Sequence, residues 1–130
     1  LTLSLLQHGA ASDRLKGVVS AADMDAPAAD VLRALVDTLR HDPDVNVRLA
    51  AVQSLDEFRE HTATQEGVRQ ALLDEESPLI SVMLIDFLAQ ERDSTAVAFL
   101  ERVSRDPERE DGVREAASEA VARMVSGGRL

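Results

Sequence analysis

Three histidines are the residues of this chain best suited to proton transfer at neutral pH or to nitrogen ligation of a metal. They are His8, His41 and His61, and the chain has no cysteine to add a sulfur ligand. His8 and His41 lie in equivalent turns of a sequence repeat, so about 8 to 10 Å should separate the helices that carry them. A zinc ion needs its nitrogens at about 2.1 Å. We therefore expect solvated turn histidines, no metal site and no cofactor.

Acidic side chains occur in pairs of the kind that acid–base catalysis uses, for example in Asp74–Glu76 and at Asp56 and Glu57. These pairs are predicted at helix ends or on outward faces, without the apolar pocket that a catalytic carboxylate requires. Serine gives no better candidate for a nucleophile, because Ser77 and its counterparts Ser12 and Ser94 are predicted to cap helices. We expect this chain not to be an enzyme.

The composition predicts a single acidic domain. The chain has 130 residues, with 24 acidic and 14 basic side chains and a formal net charge of −10. This charge repels a phosphate backbone or an anionic membrane within a Debye length of about 8 to 10 Å. There is also no Trp or Tyr on which a base would stack. Nucleic acid is therefore a poor partner, and no run approaches the roughly 20 apolar residues of a membrane span.

Three segments align without gaps at a constant step of 33 residues, beginning at Asp44, Ser77 and Glu110. The apolar columns of this alignment recur every four residues, which is the spacing of one helix face. A fourth, imperfect copy precedes them, because Gln7–Val18 matches Arg40–Val52 once one loop residue is deleted. The sequence therefore predicts an array of helical repeats. The columns are Val47, Ile80 and Val113; Ala51, Leu84 and Ala117; and Leu55, Leu88 and Val121.

Helix breakers and capping residues divide the repeats into helix pairs. Pro27 favours the first turn of a helix that runs to about Arg40, since its missing N–H costs nothing there. Asp44 is placed to cap a helix through about Glu60. The other predicted helices begin at Thr62 or Thr64, at Ser77–Pro78, at Asp93 or Ser94, and at about Asp111, and Gly127–Gly128 ends the last one.

Two of these helices differ sharply in polarity. The helix that begins at Pro78 is apolar almost all round, so we expect it to be covered on several sides. The last helix carries Glu115, Ser118, Glu119 and Arg123 in the corresponding region. A terminal repeat needs such side chains because its outer face meets water.

The acidic turn, the Val-Arg pair and the apolar positions that follow recur at Asp44–Leu55 and Asp111–Val121. This pattern resembles the second half of a HEAT repeat, with a period shorter than is usual, and the resemblance covers nearly the whole chain. It implies an α-solenoid of stacked helix pairs. In HEAT repeats the Arg after Val commonly joins an acidic loop residue of a neighbouring repeat. Arg14, Arg48 and Arg114 keep that position, and Ser81 interrupts it.

More narrowly, Ser12–Val18, His41–Ala51, and Ser77–Ile80 with Leu84–Asp86 are similar to the C-terminal HEAT domain of bacterial zinc-finger, anti-sigma-like membrane proteins. That resemblance implies a zinc-binding module, one transmembrane tether and then this domain, with no chemistry of its own. The domain would lie on the cytoplasmic or the periplasmic face of a bacterial membrane, and the sequence leaves the side open.

We predict an all-α fold, a right-handed α-α superhelix of the HEAT type, with about three helix pairs and a partial N-terminal pair. The segment from Leu1 to about His8 is expected to be the tail of a helix that begins upstream, so the chain should be a piece of a longer protein. We expect one domain over residues 1–130, divided into a partial repeat (1–24), two repeats (25–61 and 62–92) and a capping repeat (93–126).

With chemistry set aside, a protein-binding surface is the best candidate for a functional site. The second helices of the pairs usually line the inner face of a solenoid. A small apolar strip beside an acidic one suits a peptide or helix with apolar anchors and basic flanks. The alternative is that Leu49 and Val82 simply pack between repeats. The candidate residues for this concave face are Leu49, Gln53, Val82, Asp86 and Glu119.

Two other functions stay open at this level. A small-molecule-binding or lyase-type HEAT-like enzyme would require a ligand-sized pocket with convergent polar groups. A HEAT-like DNA-binding module would require a basic concave face, which the charge balance disfavours. The sequence therefore favours a non-enzymatic scaffold that binds a protein or peptide, and it does not name the partner or the oligomeric state.

Overall fold

The computed structural model describes residues 1–91 and 93–127, and within these ranges all regular secondary structure is helical. The predicted all-α, HEAT-like fold class is confirmed. The eight helices of the described residues are α1 (Thr2–Leu6), α2 (Ala11–Ala22), α3 (Ala29–His41), α4 (Val45–Asp56), α5 (Thr62–Asp74), α6 (Pro78–Ala89), α7 (Ser94–Ser104) and α8 (Asp111–Ser126).

The chain divides into two compact units, the first comprising residues 1–74 and the second beginning at Glu75. In the first unit, α2 packs against α4, α3 packs against α4 and α5, and α1 packs against α2 and α3. In the second unit, α8 packs against α6 and α7. Two pairs of second helices are therefore neighbours, α2 with α4 in one unit and α6 with α8 in the other.

The predicted repeat boundaries remain a prediction. The ranges 1–24, 25–61 and 93–126 each hold two helices, and so does 62–92, whose last residue, Arg92, lies outside the described residues. The same holds for Gly128 of the predicted Gly127–Gly128 stop, while Gly127 follows α8 directly.

Side-chain caps start the helices that the sequence marks most clearly. The carboxylate of Asp44 accepts hydrogen bonds from the backbone N–H of Asn46 at 2.8 Å and of Val47 at 3.3 Å. Ser77 Oγ accepts from the N–H of Ile80, and Asp93 accepts from Ala96 at 2.7 Å. The predicted caps at Asp44 and Ser77 are confirmed, and Asp93 rather than Ser94 caps α7.

Other predicted boundaries were wrong by a few residues. Helix α3 begins at Ala29, not in the turn of Pro27, because Ala28 keeps an extended backbone with ψ of 154°. Helix α4 ends at Asp56 instead of near Glu60. There, the N–H of Phe58 closes a tight turn onto Leu55, and the Phe58 ring enters the core.

The prediction that Ser12 caps a helix was also wrong. Ser12 lies inside α2, and Ala10 is the residue that flanks the N-terminus of this helix. The N–H of Ala10 instead donates to His8 Nδ1 at 3.2 Å. That bond ties the turn between α1 and α2 to the start of α2.

Glycine permits two close helix contacts in the first unit. A Cβ on Gly17 of α2 would come within 2.7 Å of the backbone nitrogen of Leu6 and 3.0 Å of Leu5. A Cβ on Gly67 of α5 would come within 2.6 Å of a methyl group of Val36 on α3. Both helix pairs therefore need a residue without a side chain at these positions.

Helix α6 is strongly apolar in sequence, and six of its 12 residues are buried. Ile80, Leu84, Ile85 and Leu88 are fully buried. Leu79, however, is 58% exposed, so the cover expected on several sides does not extend to that face. None of the helices in the described part of the chain is long and apolar enough to cross a membrane.

Candidate functional site

The candidate residues of the first unit lie on α4. Leu49 is half-buried, and Gln53, one helical turn further on, is exposed. Their neighbours Ala51 and Val52 are buried. Helix α4 therefore turns one side into the core, while Leu49 sits at the boundary between that side and solvent.

The candidate residues of the second unit lie on α6 and α8, which pack against each other. Val82 is half-buried, whereas Asp86 on the same helix and Glu119 on α8 are exposed. A carboxylate oxygen of Asp86 lies 3.6 Å from Nη2 of Arg123, one turn beyond Glu119. The structure thus brings Val82, Asp86 and Glu119 onto two neighbouring helices of one unit.

Leu79 and Glu115 extend this face of the second unit. Leu79, 58% exposed, lies one turn before Val82 on α6, and Glu115 lies one turn before Glu119 on α8. Neither Glu115 nor Glu119 forms an ion pair with another residue that the structure describes. An apolar column on α6 therefore runs beside an acidic column on α8.

A shallow hollow of about 370 Å³ opens at the end of this face. Its polar groups are those of Asp86, Gln90 and Arg123, and Ala89 and Met124 complete the lining. Because the carboxylate and guanidinium already face each other, a ligand there would meet a paired charge and not a free one.

A largely buried ion pair lies elsewhere, in the first unit. Arg14 Nε donates to Asp42 at 2.6 Å and its Nη2 donates to the same carboxylate at 3.1 Å, which gives a two-point contact. Nη1 of Arg14 also donates to the carbonyl oxygens of His8 and Gly9. The hydrogen bond from Arg14 to Asp42 raises the pKa of Arg14. This arrangement joins α2 to the turn after α3.

This contact is a rung of the arginine ladder that the resemblance implied, since Arg14 reaches an acidic loop residue of the next repeat. The other two arginines differ. Arg48 Nε donates to the carbonyl oxygen of Leu39 at 2.9 Å, and Arg114 pairs with Asp111 of its own helix. The contacts of Arg14 and Arg48 fasten one helix to another element, which is a structural role, whereas the contact of Arg114 stays within α8.

The histidines lie apart from one another. His8 Nδ1 is 3.1 Å from Asp13, His41 Nε2 is 3.9 Å from Asp37, and the ring of His61 meets the edge of Phe58 with 6.2 Å between centroids. Among the residues that the structure describes, no three His, Asp or Glu side chains are grouped to hold a metal ion.

Two exposed apolar residues on α2 were missed by the sequence reasoning. Leu15 is 37% exposed and Val19 is 58% exposed. A signal was available, since the alignment of the partial N-terminal repeat places Leu15 at the position of Leu49. The candidate face was traced only through the complete repeats and therefore omitted α2.

Comparison with known proteins identifies a family. The family model described as HEAT repeats matches residues 32–122, from the first turn of α3 to near the end of α8. A search of curated proteins gave no match. Because the family model covers more than half of the chain and the helices pair as its repeats do, this chain belongs to the HEAT repeat family.

Proposed function

We propose that this chain is a non-enzymatic protein-interaction domain that binds a peptide or helix of a partner through the exposed faces of its second helices. HEAT repeats generally mediate protein interactions. The observation that carries the proposal is the incomplete burial of Leu49 and Val82. Both side chains stay accessible while adjacent positions such as Ala51 and Leu84 are sealed in the core.

In each unit a partner segment would bury aliphatic side chains, against Leu49 in the first unit and against Val82 in the second, with polar contacts at the rim. Gln53, Asp86 and Glu119 supply amide and carboxylate groups there, and all three are exposed. An amphipathic helix or extended segment would satisfy this pattern, because it can present apolar and polar groups at a regular spacing.

Replacing Leu49 and Val82 together by Glu is expected to weaken such binding by at least about tenfold, since truncating or charging an anchor typically costs 1 kcal/mol or more. Peptides selected on the wild-type chain from a displayed library of helices provide the probe. Binding is measured by fluorescence anisotropy and folding by far-ultraviolet circular dichroism, which should not change.

The matched control is Leu73→Glu with Val125→Glu, two residues that are 52% and 50% exposed outside the candidate residues. This control should bind the selected peptides as the wild type does. If Leu49→Glu with Val82→Glu unfolds the chain, these residues belong to the core and the proposal fails. An equal loss of peptide binding in this double variant and in the control would also contradict the proposal.

We propose further that the domain belongs to a membrane-tethered, anti-sigma-like regulator. The support is the similarity of Ser12–Val18, His41–Ala51 and Ser77–Ile80 to the C-terminal domain of such proteins. The reading frame upstream of Leu1 in the native gene tests it. A Cys/His motif followed by roughly 20 apolar residues is expected, and further repeats of the same length would instead indicate a longer scaffold.

One observation favours a second candidate function, the binding of a small molecule. The hollow at Asp86, Gln90 and Arg123 holds about 370 Å³, within the range of small ligand sites. Native mass spectrometry of the purified chain provides the test. A bound mass that is lost in Arg123→Ala would support this second function, and an unliganded mass would leave protein binding as the proposal.

A further inference from the structure

A second apolar surface lies on α2 and α4 of the first unit, and three of its four residues are outside the candidate site. Leu15 and Val19 stand one helical turn apart on α2 and are 37% and 58% exposed. Helix α2 does not need them for its core contact, because Val18 and Ala21 are already buried there. Their exposure therefore has no explanation in the packing of α2.

Helix α4 adds two more apolar side chains beside them. It packs against α2, and Leu49 occupies the position in its repeat that Leu15 occupies in the preceding one. Val45, one turn before Leu49, is 46% exposed. Neighbouring helices lie about 8 to 10 Å apart. The side chains of one helix bound over α2 and α4 can therefore contact both. We name Leu15, Val19, Val45 and Leu49 the α2–α4 strip.

Negative charge collects at one end of this strip. Asp23 and Glu57 are the residues at the C-terminal ends of α2 and α4, and both are exposed. Neither helix has a basic residue in its last turn. A carboxylate at a helix C-terminus is unfavourable, because it adds to the negative end of the helix dipole.

The negative charge at the C-terminal ends of α2 and α4 is only partly compensated by basic residues of the chain. Arg59 pairs with Asp56, but Asp23 and Glu57 form no ion pair with another described residue. Two carboxylates and two helix C-termini therefore present negative potential beside an apolar strip. A bound cation-bearing side chain would remove this unfavourable interaction.

We propose that the α2–α4 strip binds an amphipathic helix of a partner protein, with aliphatic side chains on one face and a Lys/Arg cluster at the end that lies over Asp23 and Glu57. This proposal rests on the proposed function, since Leu49 belongs to both surfaces. It adds the chemistry of the partner, and it extends the binding face onto the partial N-terminal repeat.

The test uses the complete chain of 130 residues and synthetic peptides. The first peptide is a helix former with leucines along one face and lysines clustered at one end. In the second peptide glutamates replace the lysines, and in the third the leucines are scrambled around the helix. Fluorescence anisotropy at low salt should show binding of the first peptide only, weakened by added salt as exposed charges are screened.

Two double variants separate the apolar and the electrostatic parts of the site. Leu15→Glu with Val19→Glu should weaken binding of the lysine peptide by at least about tenfold. Asp23→Lys with Glu57→Lys should weaken it about fivefold to tenfold and flatten its salt dependence. Circular dichroism should show unchanged helix content in both.

Matched controls make the same chemical changes elsewhere. Leu73→Glu with Val125→Glu introduces two charges at exposed apolar residues off the strip, and Glu66→Lys with Glu108→Lys reverses two exposed carboxylates. Both should bind the lysine peptide as the wild type does. Equal losses in a control and its matched strip variant would overturn the proposal.

Other outcomes are equally decisive. Failure of the wild-type chain to bind the lysine peptide overturns the proposed partner chemistry. If Leu49→Glu with Val82→Glu abolishes binding of library-selected peptides while both strip variants keep it, the proposed function stands and the strip proposal falls. Self-association of the wild type that Leu15→Glu with Val19→Glu removes would make a second copy the occupant and would also overturn it.

Discussion

At the scale of single residues, Arg14 shows how one side chain can organise a repeat junction. Its guanidinium donates to both carboxylate oxygens of Asp42 and to the carbonyl oxygens of His8 and Gly9. Asp42 in turn accepts a hydrogen bond from the N–H of Asp44, the residue that caps α4. One cation therefore couples the start of α2 to the turn between α3 and α4.

Replacing Arg14 by Gln is expected to lower the urea midpoint of unfolding. The change leaves the Asp42 side chain, which is 4% exposed, without its guanidinium partner. Arg114→Gln is the matched control, because Arg114 pairs with Asp111, which is 92% exposed on the same helix. Circular dichroism during urea titration measures both. Equal shifts of the urea midpoint in the two variants would show that the Arg14 contact stabilises the chain no more than the exposed Arg114 contact does.

The direction of the Arg14 shift also fixes its pH dependence. The pKa of Arg14 is raised in the folded chain, so its stabilising effect is fully present below the unfolded-state value and is lost only as the pH rises through the higher folded-state value. Both values lie far above neutrality for arginine. The titration of Arg14 should therefore not change the difference in unfolding free energy between the wild type and Arg14→Gln across the neutral pH range.

At the scale of helices, local sequence decides where most elements start. Asp44, Ser77 and Asp93 each accept a hydrogen bond from the backbone two or three residues later, and short-range rules describe such bonds well. The C-terminal ends of helices depend on tertiary packing instead. Helix α4 stops because Phe58 turns into the core, and nothing in its local sequence demands that.

Gly17→Ala should destabilise the chain by about 1 to 3 kcal/mol, because the added methyl group meets the backbone of α1 and neither helix can yield cheaply. Gly112→Ala tests the opposite case, since nothing lies within 4 Å of its added Cβ in α8. That variant should be neutral or stabilise by up to about 1 kcal/mol. Urea unfolding followed by circular dichroism measures both, and a stabilising Gly17→Ala would refute the close approach of α1 and α2.

At the scale of the whole molecule, charge and repetition are the dominant properties. The net charge is −10, and most acidic side chains lie at helix ends and on exposed faces. Such a surface attracts cations and basic segments and repels polyanions. This balance is the reason that both binding surfaces are proposed for partners with basic groups.

The chain is expected not to bind duplex DNA, even at low salt, because its formal net charge of −10 repels the phosphate groups. A gel-shift or anisotropy titration with a mixed-sequence duplex at about 20 mM and 150 mM salt checks this. Glu66→Lys with Glu108→Lys serves as a charge control and should not bind either. Salt-dependent binding by the wild type would contradict the protein-interaction proposal.

By itself the sequence determined the helical content, the repeat and the family class of this protein. The helix caps and the apolar spacing within each repeat depend on residues that are close in sequence, so the amino-acid sequence shows them directly. Which aliphatic side chains stay exposed was decided only by the tertiary structure. Leu15, Val19 and Leu79 have the same chemistry as the leucines and valines of the core, and only the packing of neighbouring helices determines which of them meets water. The partner of Arg14 was decided in the same way, because Asp42 is 28 residues away in the sequence and meets Arg14 only once the helices pack.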